Sequence, residues 1–327
     1  MIACVTGATG FIGSHLADSL LAQGYTVRTL VRKTSNRRWI QGKNIECIEG
    51  DVRDPASLHA FLAGADYIFH IAGVVKARAP EEYFHGNDTA TRHMLEAARD
   101  HAPALRRFLF VSSQTAAGPA PSADRPLTED MPANPITTYG RSKIAAETTV
   151  KSFTDIVPWT IVRPPAVFGP RDTEIFIYFQ TIAKGLNSLI GFGEKRLNLI
   201  STEDLVRGII LAATAEVSLH QTYYLASTQA YTWPEVGRIS AKLLAKRTVT
   251  VRLPHGLVYS VAAVAQLAAA LQRKPATLNL EKARDITRQY WLCDSSKALR
   301  DLGWRDEVPL EEAIRRTIAW YREQGWL

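Results

Sequence analysis

Three glycines at a fixed spacing, Gly7, Gly10 and Gly13, constrain this chain more than any other feature. They lie in Thr6-Gly7-Ala8-Thr9-Gly10-Phe11-Ile12-Gly13, directly after the apolar run Ile2-Ala3-Cys4-Val5 and at the start of a helical pattern from Phe11 to Gln23. A strand that turns sharply into a helix through bare backbone leaves helix N–H groups facing outward, an arrangement that cradles a dinucleotide pyrophosphate. The spacing is Gly-x-x-Gly-x-x-Gly rather than the more usual Gly-x-Gly-x-x-Gly, so the alternative is a plain strand-to-helix turn. The cradle expected here consists of Gly7, Thr9, Gly10, Phe11, Ile12 and Gly13.

Beyond the turn, strand and helix patterns continue to alternate. Strand candidates are Ile2 to Thr6, Thr26 to Val31, Ile45 to Glu49, Tyr67 to Ile71, Arg107 to Ser112 and Trp159 to Val162. Between them stand helix candidates at Phe11 to Gln23, Pro55 to Leu62, Glu81 to His101 and Thr137 to Phe153. Strands that are apolar nearly throughout and alternate with helices imply an α/β fold: a Rossmann-type doubly wound parallel sheet, covered on both faces. Arg163-Pro164-Pro165 cannot continue a central strand. The division expected is therefore a dinucleotide-binding part over residues 1–165, with 199–225 returning to it. A smaller, mostly helical substrate lobe then takes the rest of 166–327.

The formal charge is +7, which by itself does not choose among nucleic acid, anionic lipid and an acidic ligand. Five basic residues, Arg28, Arg32, Lys33, Arg37 and Arg38, crowd one window at the end of the second strand. An acidic residue there accepts a ribose 2′-hydroxyl, whereas an arginine accommodates a 2′-phosphate. Arg32 stands at that point with no carboxylate beside it, so NADP is expected over NAD; a solvated loop of cations is the alternative. Asp51 and Val52, after the third strand, are placed to meet the adenine edge, although the same run also reads as a turn and helix cap. His70-Ile71-Ala72-Gly73 ends the fourth strand, where Ala72 and Gly73 let backbone pass under a cofactor. His70 is expected to be packed in the core.

Tyr139-Gly140-Arg141-Ser142-Lys143 places a phenol and an amine at i and i+4, on one helix face, with a plain helix-surface pair as the alternative. Free tyrosine titrates near 10, so a phenol that trades a proton near neutrality must be held lower, which a neighbouring ammonium and an oxidised nicotinamide could do. Ser112 and Ser113 end the fifth strand, at the carboxyl edge where open α/β sheets bind ligands; either could instead cap that strand end. Taken with Asp51-Val52, His70-Ile71-Ala72-Gly73, Asn87 and Arg163-Pro164-Pro165-Ala166-Val167-Phe168-Gly169-Pro170, these motifs make the chain resemble the extended short-chain dehydrogenase/reductases, the NAD(P)-dependent epimerase/dehydratases, over essentially its whole length. The resemblance implies that Tyr139 is the general acid/base, that Lys143 lowers its pKa and holds the nicotinamide ribose, and that Ser113 binds the reacting oxygen. It also implies that Asn87 braces the sheet and that Pro164 and Val167 line the nicotinamide face.

Sugar-nucleotide members of that family hold the substrate diphosphate with an arginine where this chain has Leu197; Arg196 comes one residue early. The later run, with Leu253-Pro254, Ser295-Ser296-Lys297-Ala298 and Leu302-Gly303-Trp304, is similar instead to 3β-hydroxysteroid dehydrogenase and dihydroflavonol reductase relatives. That similarity implies hydride transfer on an alcohol or ketone of a hydrophobic substrate. A redox-neutral sugar epimerase or dehydratase and a non-catalytic NADP(H)-sensing module are the alternatives. The substrate-lining candidates are Val74, Lys76, Gln114, Phe168 and Phe176, with an aromatic core role as the alternative for the last two. The expected partner is a small molecule rather than nucleic acid, and the resemblance adds a homodimer.

Three scattered cysteines, Cys4, Cys47 and Cys293, form no CxxC pair, which argues against a zinc site or disulfide scaffold and fits a reduced cytoplasm. No signal peptide is read at the start. The uncharged stretch from Leu253 to Gln272 is interrupted by polar residues, and its apolar centre, Leu257 to Leu271, is too short to span a bilayer. It is expected to be a buried Ala-rich helix, with peripheral membrane contact as the alternative.

Overall fold

The computed structural model describes residues 1–272, 276 and 278–327. Six strands follow the expected order: β1 (Ile2–Thr6), β2 (Thr26–Val31), β3 (Ile45–Glu49), β4 (Tyr67–His70), β5 (Arg107–Val111) and β6 (Trp159–Arg163). With the later strand Thr222–Tyr224 they form one seven-stranded sheet in the order Thr222–Tyr224, β6, β5, β4, β1, β2, β3. Every pairing in it is parallel. The chain starts in the middle, winds outward to β3, then crosses back to β4 on the other side of β1. This reversal leaves a crevice between the carboxyl ends of β1 and β4, where ligands enter such sheets.

The near-continuous apolar strands are explained by two cores. Ala3, Val5, Val27, Phe69, Leu109 and Val162 point to one face, packed under helix α1 (Phe11–Ala22) and the helix Thr202–Thr214. Their alternates Cys4, Leu30, Ile68, Phe108, Phe110 and Ile161 point to the other, under the helices Leu58–Leu62, Ala90–His101 and Thr138–Lys151. Both faces are buried, so neither shows a polar alternation. Each large aliphatic or aromatic side chain so covered stabilises the fold by ~1.5–3 kcal/mol.

The helix expected from Glu81 to His101 is broken into Pro80–Phe84, a wide π turn at His85–Thr89, and Ala90–His101. Beyond β6 the chain carries the helices Phe176–Ala183, Trp233–Leu244 and Leu310–Glu323 around a third core, with three small sheets among them. No described helix is long and apolar enough to cross a membrane. The three cysteines are free, Cys47 exposed and the other two buried.

One expectation is overturned. The Ala-rich helix, His255–Leu271, is not buried: Val258 and Ala262 alone are inside, while Leu257, Val261, Val264, Leu267 and Leu271 are exposed. Lack of charge signalled a core helix, but among the described residues it joins only a small cluster with Leu278, the short helix Leu280–Thr287 and the strand residues Ile190 and Leu253.

Candidate functional site

At the end of β1 the backbone turns through Gly7 at φ +76, a left-handed conformation that favours glycine. A Cβ there would meet the Ala72 nitrogen at 3.0 Å, and one at Gly13 would stand 2.2 Å from the Gly7 carbonyl oxygen. The turn, the first turn of α1 and the end of β4 are therefore in direct backbone approach. Helix α1 starts at Gly10 with no side-chain cap and no acidic residue in its first turn. By contrast, Thr137, Ser201 and Thr232 cap their helices with side chains. The leading N–H groups of α1 remain available to an anion, as a pyrophosphate needs. The cradle thus fits a dinucleotide. Of its other residues, Ile12 packs on the core beneath and Phe11 lies edge-on to His15 at 6.0 Å.

Polar side chains lock β4 to the cradle. Thr6 Oγ1 accepts from the Ile71 and Ala72 backbone N–H groups at 3.1 Å and bonds His70 Nδ1 at 2.8 Å, while His70 Nε2 bonds Thr91 Oγ1. His70 is fully buried, and burial beside Lys143 pushes its imidazole down to about 3. It is a neutral core histidine, as expected. Asn87, on the π turn, accepts from the Val74 backbone N–H at 2.7 Å and donates to the Val74 carbonyl and Ser142 Oγ. It ties β4's exit to the Tyr139 helix.

Ser112 and Ser113 separate clearly. Ser112 donates to buried Glu147, which also holds Arg163 through two contacts of 2.9 and 2.6 Å. Ser113 Oγ accepts from both the N–H and the hydroxyl of Thr115, at 3.2 and 2.9 Å. With two acceptor positions filled, its own proton is what remains to be given. Next to it Gln114 is 2 % exposed, and its side-chain nitrogen has no hydrogen-bond partner among the described residues. An orphaned buried donor costs about 1–3 kcal/mol.

Tyr139 and Lys143 rise from the helix Thr138–Lys151. Lys143 Nζ donates to the Val111 carbonyl at 2.8 Å, lies 4.1 Å from the Phe110 ring centre, and is 3.9 Å from where a Gly73 Cβ would stand. Burial brings its ammonium down to about 7, against an opposing pull from Glu147. The Tyr139 phenol goes the other way. Burial pushes it up to about 12, with Asp285 and Tyr83 adding to the rise and the Ser113 hydroxyl opposing it. The expectation that Lys143 holds this phenol low is not met by the protein groups alone, because the amine is turned to the end of β5.

Arg32 follows β2 directly and is exposed; its backbone N–H bonds Ser35, and its side chain has no hydrogen bond or ion pair among the described residues. The rest of the basic window is spoken for or dispersed. Arg28 binds Glu46 and two carbonyls, Lys33 lies 3.5 Å from Glu49, and Arg38 stacks on Trp39 and Trp326. Asp51 is chelated by Arg53, which with help from Arg32 lowers its carboxyl pKa, and Val52 packs on the core nearby. Pro164 is buried with its carbonyl on the Gln114 N–H; Val167 lies in the strand Ala166–Phe168.

Several substrate candidates go elsewhere. Phe168 is buried in the third core, and Phe176 packs on Tyr321 and Trp326 at 4.6 and 5.1 Å. The aromatic core, given as the alternative for these two, is where the structure places them. Lys76 pairs with Glu174 at 2.5 Å, a loop-to-loop bridge, and Val74 is held through its backbone by Asn87. Leu197 is buried, and Arg196 beside it is engaged by Glu194 at 2.5 Å.

Sequence reasoning missed the Glu147–Arg163 pair, although an arginine closing the buried strand Trp-Thr-Ile-Val-Arg demands a partner. It also missed the wall formed by the helix Leu280–Thr287. There Glu281 takes the Thr138 backbone N–H and approaches Arg141 at 3.8 Å, Arg284 reaches the Ile136 carbonyl, and Asp285 acts on the phenol. No local sequence signal ties residues so distant to Tyr139.

A family model described as NAD dependent epimerase/dehydratase family matches residues 3–226. Ceramide reductase of Caulobacter vibrioides is 29% identical over 326 residues, covering 100% of this chain and 96% of that protein. The mouse (Mus musculus) sterol-4-alpha-carboxylate 3-dehydrogenase, decarboxylating, is 26% identical, covering 96% and 89%. The fold is shared with UDP-glucose 4-epimerase of Thermotoga maritima, with a TM-score of 0.82 at 21% identity over 99% of this chain and 100% of that one.

Proposed function

Because the chain belongs to the NAD-dependent epimerase/dehydratase family, and so is an NAD(P)-dependent oxidoreductase or epimerase, we propose that it is an NADP-dependent oxidoreductase acting on the alcohol or ketone of a hydrophobic substrate. The observation that carries this reading is the pair of hydroxyls at the crevice, a phenol whose pKa burial raises to about 12 beside a serine whose oxygen already accepts two hydrogen bonds from Thr115. Two donors of that kind suit one carbonyl oxygen, which gathers negative charge as its carbon is reduced. The nicotinamide, when bound, supplies or accepts the hydride. Tyr139 gives the proton to the new alkoxide, Ser113 steadies the same oxygen, and Lys143 holds the ribose. Gln114 offers its unpaired amide to a second polar group of the substrate.

Three observations support the finer assignments. Arg32, free at the end of β2, supports NADP. The buried leucine at position 197 and the engagement of Arg196 by Glu194 speak against a sugar diphosphate. Relatives named for ceramide and sterol chemistry align along nearly the whole chain. The reading predicts net NADPH oxidation, seen as falling absorbance near 340 nm, with long-chain or polycyclic ketones presented in detergent micelles. Epimerisation of a UDP-sugar with no net absorbance change would overturn it.

The Lys143 amine adds a pH dependence. Its folded pKa lies below the usual ~10.5, so the cation is carried below about pH 7 and lost above it. The specificity constant kcat/KM for NADPH, which reports the free enzyme, should be flat below about pH 7 and fall roughly tenfold per pH step above it. Lys143→Met should lie low and flat across the same range. A break that survives in the variant belongs to another group.

A further inference from the structure

Between Glu235 and Glu281 the sequence holds seven lysines and arginines and not one carboxylate, in a chain whose whole formal charge is +7. The same segment contains the helix His255–Leu271. A helix apolar on all sides is ordinarily buried, and large exposed apolar patches mark contact surfaces. Here Leu257, Val261, Val264, Leu267 and Leu271 recur every three or four residues on one face and are exposed, Val264 by 69%, Leu267 by 66% and Leu271 by 81%. Phe192, exposed by 70%, lies in a turn whose carbonyls are held by Arg252. The apolar stripe and a run of cations with no carboxylate among them thus share one stretch of sequence: Lys246, Arg247 and Arg252 precede the helix, and Arg273 and Lys274 follow it.

We infer that the helix His255–Leu271 docks this protein on an anionic phospholipid surface, its stripe seated at the acyl boundary and the adjoining cations over the headgroups. A bilayer with negative lipids matches both halves of the pattern. A second copy of the chain matches only the apolar half, because an isologous contact sets the same patch against itself and would bring like charges together. The position adds a consequence. The docking helix bonds the helix Leu280–Thr287 through Tyr259 to Thr287 at 3.2 Å and Gln266 to the Leu280 N–H at 3.1 Å. That second helix is the wall beside Tyr139. Docking sets the crevice one helix layer from the bilayer, the place from which a lipid ketone would come. This last step rests on the function proposed above; the docking itself does not.

The test is flotation of the full-length protein with phosphatidylcholine vesicles, with and without phosphatidylglycerol, at low and high salt. The inference expects binding to the phosphatidylglycerol vesicles, release by salt, and a loss of partitioning of about tenfold or more in the double variant Val264→Glu/Leu267→Glu. Both positions are exposed, so NADPH binding and the thermal transition should hold. Should that variant not fold, Lys246→Gln/Arg247→Gln provides the second test, with selectivity for anionic vesicles expected to fall. The inference is overturned by absence of vesicle binding, by equal binding to neutral and anionic vesicles, or by unchanged binding in a folded variant. It is equally overturned by a dimer in sedimentation that the double variant breaks while vesicles are ignored. Vesicle binding is read without turnover, so its failure is separate from failure to oxidise NADPH.

Discussion

Replacing Tyr139 by phenylalanine should lower ketone reduction by about 10²–10⁴-fold, the range a positioned general acid contributes, with NADPH affinity nearly unchanged. The two effects separate by location. The phenol lies among Ser113, Tyr83 and Asp285, whereas the nucleotide cradle is backbone at Gly7, Gly10 and Gly13. Loss of the hydroxyl removes a proton donor and leaves the ring in place, 6.4 Å from that of Tyr83. Ser113 keeps both bonds to Thr115, so stability should change by no more than about 1 kcal/mol. With its pKa raised to about 12, the phenol is a filled donor throughout neutral pH. Reduction should therefore show no alkaline limb from this group through the neutral range, while alcohol oxidation, which needs the phenolate, should rise with pH. Stopped-flow kinetics with fluorescence titration of NADPH separates the two effects. A variant that binds NADPH tenfold more weakly but turns over normally would remove Tyr139 from the chemistry.

The exchange Arg32→Asp should shift the NADP/NAD preference by about 10²-fold or more. A charged hydrogen bond contributes ~1.5–3 kcal/mol, roughly 10–100-fold in affinity for the 2′-phosphate, and the introduced carboxylate adds a preference for the 2′-hydroxyl. Arg32 is exposed and carries no ion pair among the described residues, so its loss should not cost folding. Arg28, in the same run, is a poor control because it holds Glu46 and the Phe61 and Ala63 carbonyls. The ratio of kcat/KM for the two cofactors measures the shift; an unchanged ratio means that Arg32 is a solvated cation.

The strands and the cradle were legible because each is written locally. An apolar run, then three glycines whose backbone approach permits no Cβ at Gly13, admits few alternatives. The π turn at His85–Thr89 was not legible, since it exists to aim Asn87 at Val74 and Ser142, partners outside its own helix. Phe168 and Phe176 misled because an aromatic spacing is the same for a pocket and a core, and only Tyr321 and Trp326, far along the chain, decide between them. The Ala-rich helix misled for the reverse reason: absence of charge says that a helix avoids water or meets something other than water, and burial is only one way to do so. Lys143 shows a third limit. Its spacing from Tyr139 fixed a shared helix face, but not that its amine turns to the Val111 carbonyl.

The most direct test is the crystal structure of a ternary complex with NADP and an unreactive ketone analogue, and within it the distances from one substrate oxygen to Tyr139 Oη and Ser113 Oγ. The account predicts both at about 2.6–3.2 Å, with the Lys143 amine turned from Val111 toward the ribose. An oxygen bound by neither hydroxyl, or a phenol facing away from the glycine cradle, would contradict it.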